Sequence, residues 1–220
     1  MKIIDLSLPV DNNTIVPPSQ KHPIEFKPIY RSPGHWQATW MSMAAHTASH
    51  VDSPLHVIEG AETIGNVALE KVVGEAVILD LTDKGVPNGS IDAPDLAKFD
   101  GQVKEGDIVI IRTDWGAKKF GTIEYFTQSP VLTPDGARWI VNQKPSAVAF
   151  DFFEEYSARL EDFKPDDFVV HRIILGQGII IIEGLTNLKE ITTQRCQFFA
   201  APLKIMNAEA APARIFGILP

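Results

Sequence analysis

Four short stretches of the chain, 76–81, 107–112, 147–150 and 179–182, are nearly unbroken runs of apolar side chains bounded by Gly, Pro or Asp. A strand covered on both faces has no polar side to show, so such runs predict core strands. Residues 35–43 instead alternate bulky and small side chains (Trp36, Ala38, Trp40, Ser42), which predicts a strand with two unlike faces leading into a histidine-rich segment. Residues 3–8 read as an opening strand, and 198–205 and 215–219 as closing ones. Between them lie helix signals. Ser90 or Asp92 caps a helix through Phe99, and Thr133 with Pro134 at the first helical position starts another reaching Val141. Asp166 or Asp167 opens a third, with Phe168, His171, Arg172 and Leu175 at helical spacing and Gly176 as its stop. Residues 9–34 hold Pro9, Pro17, Pro18, Pro23, Pro28 and Pro33, which forbid regular helix and predict an ordered arm or lid. The mixture predicts an α/β fold with a sizeable, partly antiparallel mixed sheet, as one domain over 1–220 with no repeat or linker.

Composition narrows the function classes. A chain of 220 residues buries roughly 70 to 75% of its unfolded surface and needs no disulfide; its single cysteine, Cys196, has no intrachain partner. A reducing cytoplasm is the simplest compartment. With 28 acidic against 20 basic residues the net charge is -8, and no basic cluster is interleaved with aromatics, which argues against nucleic acid as a partner. The first ten residues carry Asp5 and end in Pro9–Val10, so they read as a strand and not a signal peptide. No apolar run approaches the ~20 residues that span a bilayer.

The chemistry is concentrated in eleven residues, His46-Thr-Ala-Ser-His50-Val-Asp52-Ser-Pro-Leu-His56. Imidazole and carboxylate are the ligand types of zinc, manganese and iron(II) centres, and two histidines with one carboxylate leave coordination positions open for water and substrate. The four-residue step from His46 to His50 suits a helical turn, while Pro54 stops a helix from reaching His56, so a turn folded around an ion is expected. Glu183 directly follows the apolar run 179–182, where an unpaired charge is costly unless a cation meets it. His22 and His35, beside proline or glycine and without carboxylate neighbours, read as loop residues. There is no G-x-S-x-G elbow, and Gly176-Gln-Gly178 lacks the rest of a dinucleotide fingerprint.

The segment resembles the signature H-x-G-T-H-x-D-x-P-x-H of the cyclase and kynurenine formamidase family of metal-dependent hydrolases. The likeness continues through Ile111-Arg-Thr-Asp-Trp115, residues 134–140 and 147–151, His171-Arg-Ile-Ile-Leu175, Ile181-Ile-Glu183-Gly-Leu and Pro202-Leu-Lys204. The resemblance implies a swivelling β/β/α type of fold, a commonly homo-oligomeric state (dimer or tetramer), and a site for one or two divalent ions, Zn2+ or Mn2+. By its pattern His46, His50 and Asp52 hold the first ion, with Asp52 able to bridge, and His56, His171 and Glu183 face a second position. Taken alone, His171 is a single histidine on a helix, the usual place of a structural one. Two departures stand out: the family's Gly-Thr step is Ala48-Ser49, and Phe152, Phe153 and Glu154 follow Asp151 where formamidases carry a serine and a further aspartate.

The expected function is metal-dependent hydrolysis of an amide (formamide or cyclic amide) or lactone in a small, aromatic substrate, similar to kynurenine formamidase. A divalent ion lowers the pKa of water to about 7 and polarises a carbonyl. His56 or Glu183 shuttles the proton. Phe26, Tyr30, Trp36, Trp40 and Trp115 are the aromatic candidates for the substrate pocket. Metal-assisted cyclisation or dehydration, and a non-catalytic metal or small-molecule binding protein of the same fold, are the alternatives.

Overall fold

The computed structural model describes residues 1–219. The strands are β1 (Lys2–Asp5), β2 (Glu25–Arg31), β3 (Trp36–Ser42), β4 (His50–Asp52), β5 (Val73–Asp80), β6 (Ser90–Ile91), β7 (Ile108–Arg112), β8 (Val131–Leu132), β9 (Ala147–Phe150), β10 (Ile180–Glu183), β11 (Arg195–Phe199), β12 (Ala210–Pro212) and β13 (Phe216–Leu219). The helices are α1 (Ala93–Leu96), α2 (Trp115–Lys119), α3 (Glu124–Thr127), α4 (Pro134–Asn142) and α5 (Val169–Leu175).

Nine strands form one mixed sheet in the order β1-β13-β11-β5-β7-β9-β10-β4-β12. The four apolar runs are its centre: β5, β7, β9 and β10 pair in parallel, and their core residues are buried on both faces. Both flanks are antiparallel, with β11, β13 and β1 on one side and β4 and β12 on the other. Alternation along each strand divides the core in two. Ala76, Ile78, Ile108, Ile110, Ile180 and Ile182 face a cluster that also takes in Ile4, Leu219, Val51 and Ala211 from opposite ends of the sheet, so the sheet curls around that cluster. Val77, Leu79, Val109, Ile111, Val148 and Ile181 face the other way, against Ala137 and Ile140 of α4 and Val170 and Ile174 of α5. The observed α/β class and mixed sheet are those expected from the apolar runs.

Helix starts follow their capping residues. Asp92 accepts from the Asp95 amide while the Asp95 carboxylate accepts from the Asp92 amide, and the helix continues as a 3-10 turn to Phe99. Thr133 caps α4 through the Gly136 amide. The third helix begins at Val169, after a separate 3-10 turn (Pro165–Asp167) that Asp167 caps.

Two expectations are corrected. The strand at 36–42 does not join the sheet; it pairs only with β2, a strand not foreseen within the proline-rich stretch. Pro28 is compatible because a two-stranded ribbon is all edge, where a missing donor faces solvent. The last strand of the 198–205 segment ends at Phe199, short of Pro202, and Leu203 and Ile205 are exposed. The closing strand Phe216–Leu219 forms as expected.

Candidate metal centre

The register of β4 on β10 places Glu183 opposite His50 and Ile181 opposite Asp52. Val51 and Ile182 point into the curled cluster. By the two-residue period of a strand, His50, Asp52 and Glu183 therefore all point to the helix-covered face. The expected helical turn from His46 to His50 does not form: residue spacing of two on a strand, not four on a helix, brings His50 and Asp52 together. α5 packs on the same face and delivers His171. His56 arrives from a 3-10 turn (Pro54–His56) that starts at Pro54.

All six residues singled out in the sequence meet. His50 Nε2 lies 3.4 Å from Asp52 Oδ1 and 3.5 Å from Glu183 Oε2. His171 Nε2 lies 3.3 Å from Glu183 Oε1 and 3.8 Å from Asp52 Oδ2. His46 Nδ1 is 3.0 Å from Asp52 Oδ1, and the His56 ring stands between those of His46 and His171, with centroids at 4.3 and 5.4 Å. His22 and His35 are exposed loop residues far from this arrangement in role: neither joins any metal-binding group among the described residues.

The donor set fits a divalent cation. His50 Nε2 and both Asp52 oxygens are buried without a hydrogen-bond partner. Unpaired buried polar atoms are costly, and donors around one ion at ~2.0–2.2 Å sit roughly 3–4 Å apart, as these do. Three overlapping groups could hold an ion: His46–Asp52–His56, His50–Asp52–Glu183 and Glu154–His171–Glu183. Neighbouring groups aim the rings. His50 Nδ1 donates to the Ala48 carbonyl at 2.9 Å, which leaves Nε2 free, and His171 Nδ1 faces Glu155 Oε2 at 3.3 Å. Glu155 also accepts from the Val170 and His171 amides at the start of α5. Such outer partners fix tautomer and ring orientation.

Charges across the cluster oppose one another. Burial alone would lower the His46 pKa, but the carboxylates of Asp52 and Glu209 reverse this and lift it to about 10. Burial, with the His46 and His171 cations, pulls His56 down to about 4 and keeps it neutral. Burial would raise Asp52 and Glu183, yet the histidines around them hold both below the usual carboxylate range. The His46 contact draws Glu209 down to about 2.

Sequence reasoning missed Glu154, Glu155 and Glu209. Glu209 Oε1 lies 3.2 Å from His46 Nε2. Its backbone carbonyl accepts from both the amide and the hydroxyl of Ser53, which fastens this segment beside β4. The acid directly after the buried strand β9 is Asp151; Glu154 and Glu155 stand four and five positions beyond Phe150, so the signal that marked Glu183 did not mark them.

Ala48-Ser49 shapes the approach. Ala48 has φ 55°, the left-handed region that favours glycine, and Gly184 is needed opposite because a Cβ there would come within 2.4 Å of the Ala48 carbonyl oxygen. The Ser49 hydroxyl donates to the Gly184 carbonyl and accepts from the Leu8 amide, both at 2.7 Å. Ser49 and Ser53 are thus committed to holding the loop.

Above the cluster lies a cavity of about 240 Å³, roughly the space of eight waters at ~30 Å³ each, which admits a small molecule. Its walls are Phe120, Tyr125, Phe126, Phe153, Phe163 and Phe168, and the proline-rich arm covers it with Ile15, Val16 and Pro17. Ser19 pins the arm to the Ala158 carbonyl at 2.8 Å. The aromatics expected here lie elsewhere. Trp115 is in the core, its Nε1 donating to the Tyr125 carbonyl, and Tyr30, Trp36 and Trp40 are exposed on the β2–β3 ribbon that also carries Phe26. Alternation marked them as a strand, but that strand left the sheet.

The Cyclase family model matches residues 4–154, more than half of the chain. The chain belongs to this family. The matched span includes His46 through Glu154, whereas His171 and Glu183 lie beyond it. This cyclase-family chain is 27% identical over 174 residues to a kynurenine formamidase of Salinibacter ruber, covering 79% of this chain and 76% of that one. It is 23% identical to an isatin hydrolase of Roseibium aggregatum, covering 98% and 86%. A solved structure from Bacillus stearothermophilus, described as a predicted metal-dependent hydrolase, superposes with a TM-score of 0.76 at 28% identity over 98% of this chain and 97% of that one. No helix among the described residues is long and apolar enough to cross a membrane.

Proposed function

We propose that the protein is a metal-dependent hydrolase that cleaves an amide, such as a formamide or cyclic amide, or a lactone in a small aromatic substrate. The observation that carries this is the set of unpaired, buried donor atoms on His50 and Asp52 beside an aromatic cavity that His46, His50, His56, His171 and Glu183 line. In this reading His46, His50 and Asp52 hold one divalent ion, and His171 and Glu183, with Asp52, face a second position. A divalent ion held there supplies a Lewis acid for a carbonyl and makes hydroxide available near pH 7. The phenylalanine walls bind the planar part of the substrate and exclude bulk water, with Phe168 edge-on to His56 at 5.9 Å. His56, on the cavity side, takes a proton from the attacking water and passes it to the leaving nitrogen or oxygen. Glu183 stays ionised to balance the cationic charge.

The relatives named for kynurenine formamidase and isatin hydrolase support amide cleavage, since both names denote hydrolysis next to an aromatic ring. Zn2+ and Mn2+ both suit the donors, and a homo-oligomer agrees with the resemblance. The test is elemental analysis of the purified protein, followed by turnover of an aryl formamide, isatin and an aryl lactone before metal removal, after it, and after restoration. Turnover lost with the metal, regained with it, and accompanied by a product one water heavier is the expected result. Unchanged turnover after complete metal removal, or a protein that binds no divalent ion, overturns the reading.

A further inference from the structure

Glu154 is a carboxylate without a hydrogen-bond partner. It is fully buried, and neither of its oxygens accepts a hydrogen bond. Among the described residues no lysine or arginine forms an ion pair with it. An isolated carboxylate in such surroundings is expensive, and a fold retains one where a cation or a shared proton compensates it. The side chain is also well aimed: Oε1 lies 3.7 Å from His171 Nε2, which in turn is 3.3 Å from Glu183 Oε1 and 3.8 Å from Asp52 Oδ2. The 3.7 Å contact is too long for a hydrogen bond and of the right size for two donors sharing one ion at ~2.1 Å from each. Glu155 occupies His171 Nδ1, so Nε2 is the nitrogen that faces this space.

We propose that Glu154 is a further ligand of a second cation position made with Glu183, His171 and Asp52, and that this set of three carboxylates and one imidazole favours an oxygen-preferring divalent ion such as Mn2+. The proposal rests on the reading that the cluster is a metal centre, and adds to it an asymmetry. The outer position, at His46, His50 and Asp52, is rich in imidazole, whereas the inner one is rich in carboxylate. Hard oxygen donors shift relative preference from zinc toward manganese or magnesium, so the two positions differ in the ion they favour.

Equilibrium dialysis of the metal-free chain against Mn2+ and against Zn2+, read by elemental analysis, tests this on the unaltered protein, Glu154→Gln and Glu154→Ser. The unaltered chain is expected to take two equivalents of Mn2+. Both variants are expected to keep the first equivalent and to bind the second at least ten-fold more weakly, with a smaller loss for Zn2+. Melting of the metal-free proteins supplies a readout independent of metal: the Gln variant should melt no lower than the unaltered chain, because burial and the neighbouring Glu183 raise the Glu154 pKa and the neutral amide has the same shape as a protonated carboxyl. If Gln at this position prevents folding, the smaller Ser variant decides. Unchanged affinity for the second Mn2+ in either folded variant, or a single equivalent in the unaltered chain, overturns the assignment of Glu154 and leaves the hydrolase reading standing. An unaltered chain that takes no metal overturns both.

Discussion

Asp107 and Asp52 are both buried carboxylates belonging to the central sheet, and their surroundings could hardly differ more. Asp107, just before β7, receives two guanidinium bonds from Arg195, at 3.0 and 2.6 Å, and the Lys104 amide at 2.7 Å. Asp52, on β4, is 1% exposed and has ion-pair contacts with histidines but no aligned hydrogen bond to either oxygen. Burial acts to raise the pKa of each, and in each case nearby cations reverse it. The cations at Asp107 come with the fold and are permanently charged; those at Asp52 are imidazoles, able to exchange their protons for a metal. Where the chain must only be stable, it completes its own charge pairs. Where it must bind and react, it leaves donors open and the free energy of closing them is left to a ligand.

Asp52→Asn should break this contrast most visibly. It removes the carboxylate shared by two of the three donor groups, and turnover is expected to fall by roughly 10³-fold or more, the several kcal/mol that a Lewis-acid centre supplies. Arg195→Ala does the reverse. It leaves Asp107 buried without its cation and should lower stability by about 2–4 kcal/mol in denaturant titrations, while metal content stays unchanged.

The same pair gives a pH dependence. Burial tends to raise Asp107, but Arg195 and the Lys104 amide hold its pKa below the ordinary aspartate value of 3.8. Its contribution is therefore complete above about pH 4 and is lost as pH falls through the lowered folded pKa. In Arg195→Ala the onset of acid unfolding should move to higher pH, as followed by circular dichroism. An unmoved onset would mean that Arg195 does not set this pKa.

Glu155→Gln tests the oriented ring instead of the ligand. Loss of the charged partner on His171 Nδ1 should weaken metal binding by about 10–100-fold in a chelator competition, with little change in metal-free melting. The smallest effect is expected at Ala48→Gly. Relief of the left-handed backbone at φ 55° should stabilise the protein by about 1 kcal/mol, seen as a higher melting temperature at equal metal loading. A lower melting temperature would show that the Ala48 methyl contributes more through packing than its backbone costs.

Legibility followed the range of the interactions involved. The parallel core strands were readable because burial on both faces leaves a continuous apolar run, too short for a helix and bounded by turn residues. Asp92 and Thr133 were readable as caps because a cap is satisfied within three residues of itself. The density of histidine around Asp52 marked the site, although the geometry invoked for it, a helical turn, was replaced by strand alternation. His171 entered the site through the family resemblance, since a lone histidine on a helix is common, whereas Glu183 was already marked by the apolar run before it. Glu154, Glu155 and Glu209 were not recognised at all. An acid in a sequence looks solvated until a fold removes its water.

The chain by itself determined the central strands and the capped helices, the kinds of donor available and the stretch in which they concentrate, because backbone preference and apolar periodicity act over a few residues. Which faces those elements turn toward one another was decided only by the tertiary structure. The pairing of Glu183 with His50 across 133 positions, and the docking of α5 over both, created the desolvated space in which His171, Asp52 and Glu154 acquired their shifted proton affinities and in which the oxygens of Asp52 and Glu154 lack partners. Desolvation and Coulomb energy depend on distance through space, and nothing local in the chain encodes that distance.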